Sequence, residues 1–217
     1  MKLHYPTTEF SHIIYVDEAG RGCLSGPVFS GAIMWPRKHL ENDKTWREIK
    51  DSKKLSRKKR AELVPYIEKN SLAYSVGTAS VEEIERHNIL QATYMAMHRA
   101  IENVINQLDD DVDPSDILLC VDGNNFKPFI FRDNFIEHVC IEKGDNIYTG
   151  IAASSILAKE YHDQYIRKLC HNDPTLNEKY GWEKNVCYGT KQHRAGIEEH
   201  GITKHHRKTF GICRKYK

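Results

Sequence analysis

No stretch of this 217-residue chain reaches about 18 uninterrupted apolar residues, so no transmembrane helix is expected. The opening "MKLHYPTTEF" lacks the apolar core of a secretory signal, which points to a soluble, cytoplasmic protein with no membrane contact. CxxC pairs are absent. The six cysteines, Cys23, Cys120, Cys140, Cys170, Cys187 and Cys213, include several in apolar surroundings such as "ILLCV" and "HVCIE". Reduced, buried thiols are expected rather than disulfides or zinc. The twelve histidines are scattered, with no HExxH among them, which also argues against zinc. The acidic turn "LDDDVDPSD" lacks the glycine and terminal glutamate of an EF-hand and is expected to be a surface loop. No repeat or low-complexity linker divides the chain, so residues 1–217 are expected to form one domain.

Net charge is also scarce, at +2, but it is unevenly placed. "KDSKKLSRKKR", residues 50–60, carries seven Lys/Arg against Asp51 alone. Residues 188–217 carry eight against Glu198 and Glu199, with His193, His200, His205 and His206 interleaved. Two basic patches on a balanced chain suit a polyanion partner, or else a solvated helix face and a free tail.

Alternation and apolar runs predict strands at Ile13–Val16, Val28–Met34, Leu72–Thr78 and Ile117–Val121, with another around Phe135–Ile141. Ser56 caps a predicted helix through about Lys69, with Leu63, Val64 and Ile67 on its inner face. Ser80 and Glu83 make a capping box for a longer helix. Its stripe of Leu90, Tyr94, Met97, Ile101, Val104, Ile105 and Leu108 is expected to face the core. A third helix, Ile151–Leu169, opens with small residues suited to close packing on a sheet. The pattern fits an α/β fold: a mixed central sheet flanked by helices, core about residues 12–185, plus a helical basic C-terminal extension, about 186–217.

"IIYVDEAGRG" ends an apolar strand on two adjacent acids, Asp17 and Glu18. "ILLCVDGNN" repeats the design with Asp122, and Asp145 sits in "IEKGDNIYTG". In open α/β sheets ligands bind beyond the carboxyl ends of the strands, so acids from separate strands converge there. Converging carboxylates repel, and a hard divalent cation with oxygen ligands resolves that repulsion. Such a site suits phosphodiester hydrolysis, with two ions about 3.5–4 Å apart serving attack and departure. Taken singly, Asp122 reads equally as part of a turn and Asp17 as a cap. Gly20 and Gly22 let backbone approach a ligand, and Arg21 between them can fork onto a phosphate.

These residues resemble the signature of the type 2 ribonucleases H, specifically the ribonuclease HII family. The likeness is carried by "YVDEAGRGCLSGPV", "DSKKLSRKKR", "HNILQATYMAMHRAI", "VDGN", "KGD", "IAASSILAK", "YGTKQH" and "HHRKTFG", in order, over about residues 12–212. It implies an RNase H-like fold and an endoribonuclease that cleaves the RNA strand of RNA–DNA hybrids. It also implies nicking 5′ of a ribonucleotide embedded in duplex DNA, leaving 3′-hydroxyl and 5′-phosphate ends. By the same resemblance Asp17, Glu18, Asp122 and Asp145 are catalytic and bind Mg²⁺ or Mn²⁺, with Asp145 joining when substrate is present. Gly20, Arg21 and Gly22 would read the 2′-hydroxyl through backbone groups. Tyr188 would stack on the sugar at the RNA–DNA junction, or serve as a packing aromatic. Lys53, Lys54, Ser155 and Lys159 would hold phosphates, with an internal salt bridge as the rival role of Lys159. Asn88 would hydrogen-bond substrate or start a helix. A monomer is expected. A non-catalytic nucleic-acid-binding module and another metal-dependent nuclease of this fold remain as alternatives.

Four departures stand out. Cys23 replaces a usual proline, which is expected to loosen the turn. Glu160, Tyr161 and His162 replace a valine-threonine-arginine run before Asp163, removing a basic contact. Lys208 and Thr209 in "HHRKTF" replace an arginine and a serine.

Overall fold

The computed structural model describes residues 1–36, 43–109 and 111–216. The acidic turn at 108–116 and the basic tail each include a residue, Asp110 and Lys217, outside the described ones. Six strands form one mixed sheet: β1 His12–Ala19, β2 Val28–Met34, β3 Ala73–Ala79, β4 Ile117–Asp122, β5 Phe129–Phe131 and β6 Asn134–Ile141, in the order β3-β2-β1-β4-β6-β5. β1, β4 and β6 run parallel, while β1–β2, β2–β3 and β5–β6 are antiparallel.

The period-2 alternation of β1 explains how the layers form. Ile13 and Tyr15 face a core shared with α1 (Arg57–Asn70) and α3 (Thr149–Asn172). Ile14 and Val16 face the opposite core, built on α2 (Val81–Ile105). Leu118 and Cys120 of β4 join the first core, and Leu119 and Val121 the second. A sheet covered on both sides needs apolar residues at every strand position, as "IIYV" and "ILLCV" supply.

The Ser56 cap and the Ser80–Glu83 capping box are both present. α2 differs from its expectation in one respect. Asn88 adopts φ 67° and ψ 166°, breaking the helix. The Asn88 side chain then accepts from the amides of Leu90 and Gln91 at 3.0 and 3.2 Å, restarting it. Leu90, in the first turn of the restarted helix, is 37% exposed, while Tyr94, Met97, Ile101, Val104 and Ile105 are buried. Leu72 precedes β3 and is likewise exposed.

Residues 173–216 do not hang off the body. α4 (Thr175–Tyr180), α5 (Trp182–Asn185) and α6 (Lys191–His200) close a third core containing Cys23, Cys170, Cys187 and Cys213. All six cysteines are free, and five are buried.

Close approach of α3 to the sheet depends on Gly31, the β2 partner of Asp17. A Cβ there would stand 2.3 Å from the Ser154 carbonyl oxygen. Gly31→Ala is expected to destabilise the protein by about 1–3 kcal/mol in urea unfolding, because the helix must move off the strand. Parental stability would show that the contact is slack.

Candidate active site

The parallel register brings the acids together. Val16 pairs with Val121, so the next residues, Asp17 and Asp122, leave their strands side by side toward α3. Glu18 follows Asp17 at the strand end. Asp145 lies in the short turn Gly144–Asn146, where β6 crosses toward α3. Gly144 packs closely there: a Cβ would stand 2.5 Å from the end of the Ile151 side chain, and its amide donates to Asp122 Oδ1 at 2.7 Å.

Asp17 and Asp145 are 5% and 4% exposed, so both sit where ionisation is costly. Burial, then repulsion from Glu18 and Asp122, holds the Asp17 carboxyl well above the usual range. Burial and Asp145 raise Asp122. Burial raises Asp145 too, followed by Asp51. Asp51, a buried carboxylate that sequence reasoning passed over, accepts from the Lys53 amide at 2.9 Å. It was hidden inside a run read only for its positive charge.

Among the described residues no three of these side chains close into a ready-made metal cage. Each carboxylate has taken a local donor on one oxygen instead. Asp17 Oδ1 accepts from the Glu18 amide at 2.7 Å, and Asp145 Oδ1 from the Asn146 amide group at 2.8 Å. Glu18 pairs with Arg21 at 3.1 Å. The set still fits a hard divalent cation. Asp17, Glu18 and Asp122 offer oxygen donors only, and they repel one another. The groups that favour Asp17's charge are the Ser155 hydroxyl and the Glu18 amide, not a cation. These three would be first to hold Mg²⁺ or Mn²⁺, with Asp145 beside them.

The Gly20–Gly22 loop is held from beneath by Arg207. Its buried guanidinium donates to the carbonyls of Gly20 (2.8 Å), Arg21 (2.9 Å), Cys23 (2.9 Å), Gly26 (2.9 Å) and Pro27 (3.2 Å). In a trans peptide the N–H points opposite to the carbonyl of the preceding residue. Turning the Gly20 and Arg21 carbonyls inward therefore turns the Arg21 and Gly22 amides outward. Neither amide donates to an acceptor among the described residues. Gly20, at φ 89°, leaves no room for a side chain, since a Cβ would lie 2.8 Å from His162.

Cys23 closes this turn through its backbone. Its amide donates to the Gly20 carbonyl at 3.3 Å, a bond proline cannot make. Its buried thiol, pushed up to about 11 by burial, faces His162 Nε2 at 3.6 Å. Two departures from the family pattern thus touch each other. His162 Nδ1 lies 2.9 Å from Asp163. Burial alone would raise Asp163, but His162 and Lys159 bring it below the usual carboxylate range. Arg60 adds a further cation to Asp163 at 3.4 Å and donates to the carbonyls of Ser52 and Leu55. Part of the first basic patch is therefore interior.

The remaining candidates separate. Ser155 is buried, 3.0 Å from Ser52, and bonded to Asp17. Lys159 makes the internal salt bridge, 2.7 Å from Asp163, and its ammonium lies 4.9 Å from the Tyr188 ring centroid. Tyr188 pairs through its backbone with Cys23, and its ring sits beside Gly22. Lys53 and Lys54 are exposed at the rim, Lys54 bonded to Asn146. Asn88 is exposed at the α2 break, serving as a cap. Arg207 was missed as an individual residue, because its partners are carbonyls about 180 positions upstream.

Comparisons with known proteins agree with this architecture. A family model described as Ribonuclease HII matches residues 14–213. Ribonuclease HII of Parabacteroides distasonis is 46% identical over 196 residues, 90% of this chain and 88% of that protein. The crystal structure of ribonuclease H2 from Pyrococcus horikoshii OT3 superposes with a TM-score of 0.69 at 22% identity, over 94% of this chain and 96% of that one. Bst-RNase HIII in complex with Mn²⁺ gives 0.64 at 16% identity, over 88% and 71%. With strand-end acids, an outward-facing glycine loop and this likeness along nearly its whole length, the chain belongs to the ribonuclease HII family of metal-dependent endoribonucleases acting on RNA–DNA hybrids.

Proposed function

We propose that this endoribonuclease also nicks 5′ of single ribonucleotides embedded in duplex DNA, working as a monomer with two Mg²⁺ or Mn²⁺ ions. The observation that carries this reading is the pair of outward amides, Arg21 and Gly22, held beside Asp17 and Glu18. A 2′-hydroxyl both donates and accepts, and it alone distinguishes RNA from DNA at one nucleotide. Rigid amide N–H groups are suited to donate to its oxygen without reading base identity.

The cations supply charge against the scissile phosphate and lower the barrier to attack by water, leaving 3′-hydroxyl and 5′-phosphate ends. Asp17, Glu18 and Asp122 would hold them, with Asp145 beside them to complete the set. Ser155 orients Asp17 rather than meeting phosphate. Arg21, half-exposed and paired with only one Glu18 oxygen, would be free to turn to the backbone of the nucleic acid. Lys53 and Lys54 meet phosphates at the rim, and Tyr188 packs on the sugar at the junction. Lys159 acts on Tyr188 from below. Asn88 presents exposed polar groups further along the same path.

A duplex with one ribonucleotide, incubated with Mg²⁺ or Mn²⁺, is expected to give a single nick 5′ of it, abolished by Asp17→Asn or Asp122→Asn. Variants that cleave like the parent would contradict the metal-site assignment. A second test concerns stability. Groups whose folded pKa is raised bind protons more readily in the folded state, so stability rises as pH falls toward those values. At neutral pH the ionised cluster is therefore a burden without a cation. Asp17→Asn should raise the metal-free melting temperature by about 2–4 °C while ending activity. Mn²⁺ should raise the parent's melting temperature at pH 7.5, with a gain that shrinks toward pH 5 as protons compete. Lower metal-free stability of Asp17→Asn, or a gain independent of pH, would contradict the account.

A further inference from the structure

The chain segments around Tyr188 and Arg207 meet through two buried histidines. His193 belongs to α6 and His206 to the following loop, and their Nε2 atoms are 3.2 Å apart. Neighbouring donors settle which nitrogens carry hydrogen. The Thr203 amide donates to His206 Nδ1 at 2.9 Å, so the His206 hydrogen is on Nε2 and points at His193. The Trp182 indole N–H donates to His193 Nε2 at 2.9 Å, so that nitrogen accepts and the His193 hydrogen is on Nδ1. His193 Nδ1 then lies 3.1 Å from the Tyr188 carbonyl oxygen. One directed run leads from Thr203, through two neutral imidazoles, to the Tyr188 backbone.

The segment it holds is strained. Val186 and Cys187, immediately before Tyr188, have φ 40° and 67°, a region that costs non-glycine residues about 1–3 kcal/mol each. Such a backbone persists only where neighbours over-determine it. Tyr188 itself faces Cys23 across a bridge and keeps its ring 37% exposed.

We propose that His193 and His206 are positioning residues for Tyr188, fixing its carbonyl and so the place of its ring beside the Gly20–Gly22 loop. This rests on the reading of Tyr188 as a substrate contact. Around His193 lie the Ser25 hydroxyl at 3.5 Å, the Trp182 and Tyr180 rings and His206. Around His206 lie Tyr180, Trp182, His193, His205 and the Thr203 amide and hydroxyl. A proton added to His193 Nε2 would confront two N–H groups, and one added to His206 Nδ1 would confront the Thr203 amide. Burial, the first cause in each case, lowers both rings, His206 to about 3, which keeps the run intact near neutrality.

Two substitutions separate the donor to Tyr188 from the rest. His193→Asn places an amide nitrogen near the Nδ1 position and can still donate to the Tyr188 carbonyl. His193→Gln reaches the Nε2 position and keeps the Trp182 contact, but it has no donor for Tyr188. Kinetics on duplex DNA with one ribonucleotide should show kcat/KM lowered about tenfold in the Gln variant, the loss of roughly one hydrogen bond. The Asn variant should rescue most of that loss. Adding Gln to Tyr188→Ala should cost nothing further. Equal losses in Asn and Gln, or additive losses with Tyr188→Ala, would overturn the proposal. Parental kinetics of Tyr188→Ala would overturn the reading of Tyr188 and the proposal with it. Nitrogen NMR of the unaltered protein tests the run without any variant: Nδ1–H is expected for His193 and Nε2–H for His206. The opposite tautomers would overturn it.

Discussion

One guanidinium organises the loop that follows the β1 acids in this protein. Arg207 is fully buried, and its five hydrogen-bond partners are carbonyl oxygens from residues 20–27. Burying a charge is costly unless it is fully hydrogen-bonded, and removing one side of such an arrangement costs about 3–5 kcal/mol. Only arginine offers a planar set of five donors on one side chain. The positive charge is therefore satisfied by peptide dipoles, and those peptides have little freedom left. Their opposite edges are the outward amides that, on the function proposed, meet the substrate.

The acid cluster follows a complementary logic. Arg207 stores a cation among carbonyls, whereas Asp17, Asp122 and Asp145 are buried anions that repel their neighbours. Stability is lost at these acids, and on the function proposed that leaves charge available for a cation. The sheet tolerates this because the apolar parts of β1 and β4 are covered on both faces up to the acids. The Cys23–His162–Asp163 contacts then support Gly20 from the α3 side.

The strands carrying the acids were legible because continuous apolar runs and the D-E and D-G endings are local signals. The capping box on α2 was legible for the same reason. What escaped was non-local or very short. β5 has three residues, too few for a pattern. The break at Asn88, and with it the placing of Leu90 in an exposed first turn, is something no periodicity count reveals. Arg207 looked like one cation in a basic tail, and carbonyl partners leave no mark in a sequence. Cys23 and His162 each read as an isolated departure until the fold set them in contact.

The central claim is that Arg207 holds the Gly20–Gly22 amides in register with the metal site. The most direct measurement is the Mn²⁺-dependent nicking rate of Arg207→Lys on duplex DNA with one ribonucleotide, alongside its Mn²⁺-induced rise in melting temperature. Lysine keeps the charge but supplies three donors from a single point. The account predicts a rate lowered by about 100-fold or more, with the Mn²⁺-induced rise retained. A folded Arg207→Lys variant that nicks at the parental rate would contradict it.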